Sequence, residues 1–143
     1  MTGVPVSTSA TPGKGLRIAL WVVQALLASF FLMAGVTKGI RPLDQAAQMI
    51  NWIPDVPAAL TRFIGWAELA GGLGLILPAA TRIKPWLTPL AAVGLGTIMV
   101  LAIGFHLMRG EANVIGVHIV TAALAAFVAW GRFKRAPIAP SGR

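Results

Sequence analysis

Four long apolar runs constrain the fold of this chain more than any other feature of its sequence. They cover residues 16–37, 59–77, 86–108 and 114–131, and each lies within the range of about 17–25 residues that a membrane-spanning helix uses. The connecting segments are short and hold proline, glycine and charged residues, which interrupt apolar helices. The sequence therefore predicts an all-α protein in a lipid bilayer, a membrane-spanning four-helix bundle.

Composition agrees with a membrane environment. Hydrophobic residues make up 57% of the chain and charged residues 11%, whereas roughly a quarter of the residues of a soluble domain are charged. The formal net charge of +8 is also typical of nucleic-acid-binding domains, but the cations here flank apolar runs, so we expect no nucleic-acid partner. The chain has no cysteine, which excludes disulfides, thiol redox chemistry and iron–sulfur ligation by its own side chains.

The four runs form one predicted domain, residues 16–133, between two tails. Residues 1–15 are rich in Ser, Thr, Pro and Gly and predict a disordered tail, whereas residues 134–143 form a basic tail. Signal peptides also begin with basic residues before an apolar run, as Lys14 and Arg17 do at the start of the first run. That run is too long for a signal peptide and no small-residue cleavage site follows it, which favours a retained anchor.

The connections and small residues predict how the helices pack. The segment 38–57 contains three prolines and cannot span, but its middle, residues 43–52, predicts a short helix in the membrane interface. Glycines recur along the helices, among them Gly35 and Gly39 at the four-residue spacing. Small residues let helix backbones approach closely in lipid, so we interpret them as packing positions.

The positions of the cations predict the orientation, because Lys and Arg are retained on the cytoplasmic side. One side of the membrane holds Lys14, Arg17, Arg82, Lys84, Arg132, Lys134, Arg135 and Arg143. The other side holds Lys38, Arg41, Arg62 and Arg109 with the acidic loop residues. We therefore expect a multi-pass protein of the cell membrane with its N-terminus and C-terminus in the cytoplasm.

Glu68 is the strongest functional candidate, because an ionisable side chain inside a spanning helix is costly unless it is paired or hydrated. It lies roughly 13 Å from the Ala59 end of its helix, near the middle of the bilayer. Three candidate partners lie at compatible depth in the half of the bundle away from the termini: Lys38, His106 and His118. Two interpretations stay open, a functional carboxyl group or a buried ion pair that sets the helix register.

Other polar residues complete the predicted site. Lys38 and Gln24 share a stripe of the first helix, and Arg62 lies in the same half as Glu68, so Lys38, Arg62 and Gln24 are the predicted ligand-binding residues. Arg109 and Glu111 are interpreted as a solvated turn. No histidine pair has the four-residue spacing of a metal site, so no metal is predicted. The half of the bundle that holds the termini is expected to be almost wholly apolar and anchored by cations, with Arg132, Lys134 and Arg135 at the membrane surface.

Three segments resemble a known family. They are AELAGGLGLILP at 67–78, HLMRGE at 106–111 and the end of the fourth run at Gly131 and Arg132, and together they are similar to the DoxX-like family of four-helix membrane proteins. The resemblance covers about residues 16–133. It implies roles that differ between members: quinone-linked sulfur oxidation, membrane-bound redox-defence complexes, and assembly of other membrane proteins. Glu68 and His106 correspond to the family pattern.

Two hypotheses of different classes follow. In the first, the bundle binds a lipophilic small molecule such as a quinone or terpenoid. Glu68, His118 and His106 are then the catalytic candidates, for redox-linked chemistry or for acid/base chemistry of the isomerase or cyclase type. In the second, the protein is a non-catalytic accessory subunit or assembly factor, and Glu68 only holds helices together. Its partner is then a membrane or redox protein, or a second copy in a homo-oligomer. A transporter or channel ranks third.

Overall fold

The computed structural model of the protein describes residue 3 and residues 13–142. Over that part of the chain it has no strands and five α-helices: α1 (Lys14–Gly39), α2 (Leu43–Met49), α3 (Ala58–Thr81), α4 (Leu87–Met108) and α5 (Ile115–Trp130). Four segments are long and apolar enough to cross a membrane, namely α1, α3, α4 and the Ala112–Arg135 segment that contains α5. The predicted all-α fold with four spans is confirmed, and it implies a lipid bilayer environment.

Successive spans run in opposite directions, which gives the bundle two ends. The terminus side holds the start of α1, the α3–α4 turn and the helical turn Gly131–Arg135 after α5. The far side holds α2 and the α4–α5 turn. Most of the predicted disordered tail, residues 1–15, lies outside the described residues, and Lys14 and Gly15 form the start of α1.

Glycines bring α1 and α3 into backbone contact. A Cβ atom added to Gly65 would lie 2.6 Å from Gly39 Cα, and one added to Gly35 would lie 2.8 Å from Gly65 O. Real Cβ atoms essentially never come that close to backbone atoms, so neither position has room for a side chain. The four-residue glycine spacing on α1 therefore serves the close approach that it predicts, and it brings the end of α1 against the middle of α3.

Helix α3 continues through Pro78 to Thr81, whereas the sequence predicted that it would end at Leu77. A proline has no N–H and leaves the carbonyl four residues earlier without its helical donor. That carbonyl belongs to Gly74, and Thr88 of α4 donates its hydroxyl to it over 3.1 Å. The neighbouring helix replaces the lost hydrogen bond, as spanning helices with internal proline require.

Helix α2 and the turn after it close the far side. α2 covers residues 43–49 of the short helix predicted at 43–52, with Ala46 fully buried and Met49 64% exposed, as expected of a helix lying on a surface. The chain then turns through Ile53–Asp55. The ring of Trp52 meets the ring of Phe105 of α4 edge to face at 5.8 Å, so this segment covers the end of α4.

Candidate far-side cavity

A cavity of about 310 Å³ lies on the far side between the four spanning helices and the segment after α2. Most of its lining is apolar and comes from Trp52, Val56, Leu60, Phe63, Ile64, Ala67, Ile98, Met99, Leu101, Ala102 and Phe105. Its four ionisable lining residues are Lys38, Glu68, His106 and His118. We call this space the far-side cavity. Its volume is at the lower end of the range for small-molecule sites, about 300–1,000 Å³.

Lys38 and Glu68 form an ion pair at the cavity. Lys38 Nζ lies 2.8 Å from each carboxylate oxygen of Glu68, and the two side chains are 11% and 1% exposed. The pair forms because Glu68 lies one turn after Gly65, where α1 touches α3. Nζ meets hydrogen-bond geometry only at Oε1, so Oε2 is buried without a hydrogen-bond donor among the described residues. The Lys38 ammonium thus faces both oxygens of a carboxylate that lines the cavity.

The end of α4 holds His106 against Glu111. Gly110 has φ +71°, the left-handed conformation that glycine adopts after a helix end. The N–H of Gly110 bonds to Leu107 O, and the N–H of Glu111 bonds to His106 O at 2.9 Å, which is a Schellman motif. This turn folds the Glu111 side chain back over the helix, so that its Oε2 lies 2.6 Å from His106 Nδ1.

Charges around Glu111 stabilise its ionised form. The pKa of Glu111 is held below its usual range, first by the hydrogen bond from His106 and then by the one from Arg109. The Arg109 bond runs from Nε to Glu111 Oε1 over 3.0 Å. Arg109 also pairs with Asp55 at 2.9 Å, and hydrogen bonds to Asp55 and Glu111 raise the pKa of Arg109. An ionised Glu111 can only accept, so Nδ1 of His106 is the donor in this hydrogen bond.

His118 has the same arrangement with a backbone acceptor. Its Nδ1 lies 2.8 Å from Val114 O, and a carbonyl oxygen only accepts, so Nδ1 is the protonated nitrogen. The rings of His106 and His118 are 4.8 Å apart between centroids. Two imidazoles therefore meet at the cavity, each with its Nδ1 engaged in a hydrogen bond.

The structure brings together four of the six predicted site residues. Glu68, His106, His118 and Lys38 line the far-side cavity, and of the three candidate partners of Glu68 it is Lys38 that bonds to it. Arg62 lies beside the cavity and does not line it. Its guanidinium donates to the carbonyl oxygens of Lys38 and Arg41 at 3.2 and 2.8 Å, which satisfies the otherwise free carbonyls at the end of α1.

Gln24 lies at the other end of the bundle. It is fourteen residues before Lys38 on α1, about 21 Å along the helix axis. It bonds there to Leu75 O at 2.7 Å and to Nε of Arg132 at 2.6 Å. Arg132 was expected at the membrane surface but is only 4% exposed. The expectation of an almost wholly apolar terminus side was wrong, because this polar pair is buried there.

Sequence reasoning missed the residues that orient His106. Glu111 was interpreted as part of a solvated turn with Arg109, yet it bonds to His106 and Arg109, and Arg109 bonds to Asp55. A local signal was present. A glycine one residue past a helix end predicts the Schellman turn, and that turn places the residue after Gly110 over the histidine. The contact with Asp55 joins distant segments and has no local signal.

The lining of the far-side cavity is apolar apart from its few ionisable groups. Within residues 13–142, no group of three or more His, Asp or Glu side chains is placed to hold a metal ion. Apolar walls with a few convergent polar groups are typical of sites that bind small organic ligands.

Comparison with known proteins agrees with the fold. A family model described as the DoxX-like family matches residues 22–128, which is more than half of the chain and includes every residue lining the far-side cavity. No curated protein and no solved structure matches the chain.

Proposed function

The chain belongs to the DoxX-like family, and we propose that its far-side cavity binds a lipophilic small molecule that carries an oxygen-bearing head group, such as a quinone or terpenoid. One observation carries the proposal: an ammonium–carboxylate pair and two imidazoles converge on a cavity whose other walls are apolar. Ionisable groups at membrane depth are costly and mark functional sites by default.

The lining supports entry from the bilayer. Phe63 of α3 and Leu101 of α4 both line the cavity, and they are 71% and 68% exposed on the lipid-facing surface. The cavity therefore reaches the outside of the bundle beside these two helices. A lipophilic molecule dissolved in the membrane would enter there without crossing water, and its oxygen would meet the polar groups inside.

Proton exchange is the chemistry that these groups support. A hydroxyl group on the ligand would lose its proton to Nε2 of His118 or His106, with the O–H electron pair remaining on oxygen. The Lys38 ammonium would stabilise the oxygen anion, and the Glu68 carboxylate would accept a hydrogen bond from a second hydroxyl. Redox-linked chemistry of a quinol, whose electrons would pass to an acceptor supplied by another redox protein, and acid/base isomerisation or cyclisation share this proton transfer, so both stay within the proposal.

The test is the set of lipophilic molecules that the protein retains. Molecules retained by the purified protein in lipid nanodiscs are extracted and analysed by mass spectrometry. Ala67→Phe fills the cavity, and its matched control is Ala70→Phe, which adds the same ring three residues away at an exposed position of α3. We expect one compound or class that wild type and Ala70→Phe retain and that Ala67→Phe and Glu68→Gln lose. Identical profiles in all four proteins would refute the proposal.

A second candidate function is association with another membrane protein or a second copy. Its support is that Gly94 and Gly104 of α4 and Gly116 near the start of α5 have open space where a Cβ would lie. Small residues on a lipid-facing surface suit close helix contacts. Gly94→Leu and Gly104→Leu would then release a partner that co-purifies with wild type, whereas unchanged co-purification, or no partner at all, would exclude this surface.

A further inference from the structure

A second pocket on the terminus side is independent of the far-side cavity. Its volume is about 480 Å³, and Arg17, Arg82, Arg132 and Trp21 line it together with small residues of α3 and the chain after Arg135. We call it the arginine pocket. No acidic side chain lines it. All four acidic residues of the chain, Asp44, Asp55, Glu68 and Glu111, lie in the segments that form the far half of the bundle.

Arg132 is the residue that makes this pocket unusual. The residue is 4% exposed, and two of its nitrogens are bonded: Nε donates to Gln24 Oε1 at 2.6 Å, and Nη1 donates to Ala136 O at 3.3 Å. Its Nη2 is buried and has no acceptor within the described residues. Gln24 is held in turn by Leu75 O at 2.7 Å, so the guanidinium is fixed in orientation.

The charge of Arg132 has no counter-charge from an acidic side chain. A buried cation is costly unless an anion compensates it, and both acceptors of this guanidinium are neutral carbonyl oxygens. The Trp21 ring, 5.3 Å from Arg132 Cζ, offers only the weaker attraction of a cation to an aromatic face. The exposed Arg17 and Arg82 add further positive charge at the mouth.

From these contacts we propose that the arginine pocket binds a phosphate group. A guanidinium presents planar paired donors that fit phosphate oxygens, and Nη2 of Arg132 has its donors unused. Phosphate of this kind is supplied by the head group of an anionic phospholipid or by a soluble phosphate. Arg82 shapes the same pocket, because its side chain holds the returning chain by donating to Ala139 O at 2.8 Å.

The experiment measures binding of both phosphate sources to the purified full chain in detergent. Native mass spectrometry follows a short-chain phosphatidylglycerol, with a short-chain phosphatidylcholine as the zwitterionic comparison, and inorganic phosphate is added as competitor. Arg132→Gln removes the buried guanidinium. Arg17→Gln changes an exposed residue of the pocket, and it keeps the test valid if Arg132→Gln does not fold. Lys134→Gln is the matched control, since it removes one exposed charge from the same turn without lining the pocket.

We expect phosphatidylglycerol to bind about tenfold more tightly than phosphatidylcholine, which corresponds to about 1.4 kcal/mol. Arg132→Gln should lose that preference, Arg17→Gln should reduce it, and Lys134→Gln should keep it. Two results identify the soluble phosphate as the ligand. One is competition by millimolar phosphate at the same site; the other is phosphate binding that Arg132→Gln abolishes, in the absence of any lipid preference. The proposal would be overturned if neither phosphatidylglycerol nor inorganic phosphate bound, or if Lys134→Gln lost as much binding as Arg132→Gln.

Discussion

The Lys38–Glu68 pair provides the sharpest test of the structure. Replacing Lys38 by Met removes the ammonium and leaves a carboxylate that is 1% exposed without its counter-charge. Removing one partner of a buried ion pair costs about 3–5 kcal/mol, whereas replacing both partners by apolar residues of similar volume is often neutral or stabilising. We therefore expect Lys38→Met and Glu68→Met each to lose about 3–5 kcal/mol, and the double variant to come within about 1 kcal/mol of wild type.

The assay is reversible unfolding in mixed micelles titrated with sodium dodecyl sulfate and followed by circular dichroism. Lys134→Met is the control for loss of an exposed lysine charge and should change stability by less than about 0.5 kcal/mol. Single variants that cost below about 1 kcal/mol, or a double variant whose cost equals their sum, would refute the pair as a buried, coupled interaction.

The same double variant separates structure from function. A folded Lys38→Met/Glu68→Met protein has apolar side chains where the proposed site needs a donor and an acceptor. If the pair serves only to hold α1 against α3, retention of lipophilic molecules will follow stability and recover in the double variant. If the pair contacts the ligand, stability will recover and retention will not.

Four further predictions follow from particular contacts. Gly65→Ala should lose about 1–3 kcal/mol in the same unfolding assay because its Cβ meets the backbone of Gly39, while Gly104→Ala, which has open space, should lose none; equal effects would refute the glycine contact. Thr88→Val should cost about 1–2 kcal/mol by freeing Gly74 O, and adding Pro78→Ala should restore that loss by supplying a backbone donor; no recovery would contradict the explanation of the proline. The folded-state pKa of Glu111 lies below its usual value of 4.5, so its contribution to stability is complete above pH 4.5 and is lost as the pH falls through the lowered pKa. Glu111→Gln should therefore reduce the drop of the thermal unfolding midpoint at acid pH. An unchanged drop would refute this. Since the chain has no cysteine, single cysteines at Ser141→Cys and Ala112→Cys report the orientation directly. In intact cells, an impermeant maleimide should label only Ala112→Cys if the termini are cytoplasmic. Labelling of only Ser141→Cys would contradict the predicted topology.

Some of this architecture was predictable because its causes are local. Length and hydropathy decide whether a helix spans a bilayer, so the four spans follow from the sequence. An isolated carboxyl group such as Glu68 stands out against apolar neighbours for the same reason. Its partner was only narrowed to three candidates, because the choice depends on how closely α1 approaches α3. That distance is set by Gly39 and Gly65 on different helices, and no pattern within one helix reveals it.

Gln24 and Arg132 show where such reasoning fails and why. A basic residue after an apolar run normally reaches water at the membrane surface, and by that rule Arg132 belongs with Lys134 and Arg135. Arg132 is buried within the π-helical turn Gly131–Arg135, and Gly131 fits there because a Cβ would collide with the Leu20 side chain. Burial of Arg132 then leaves Gln24 as its acceptor on α1, more than a hundred residues earlier. A polar residue that sequence reasoning assigned to the far-side ligand site thus orients a guanidinium at the opposite end of the bundle, which is why the two ends of this protein are best tested as separate sites.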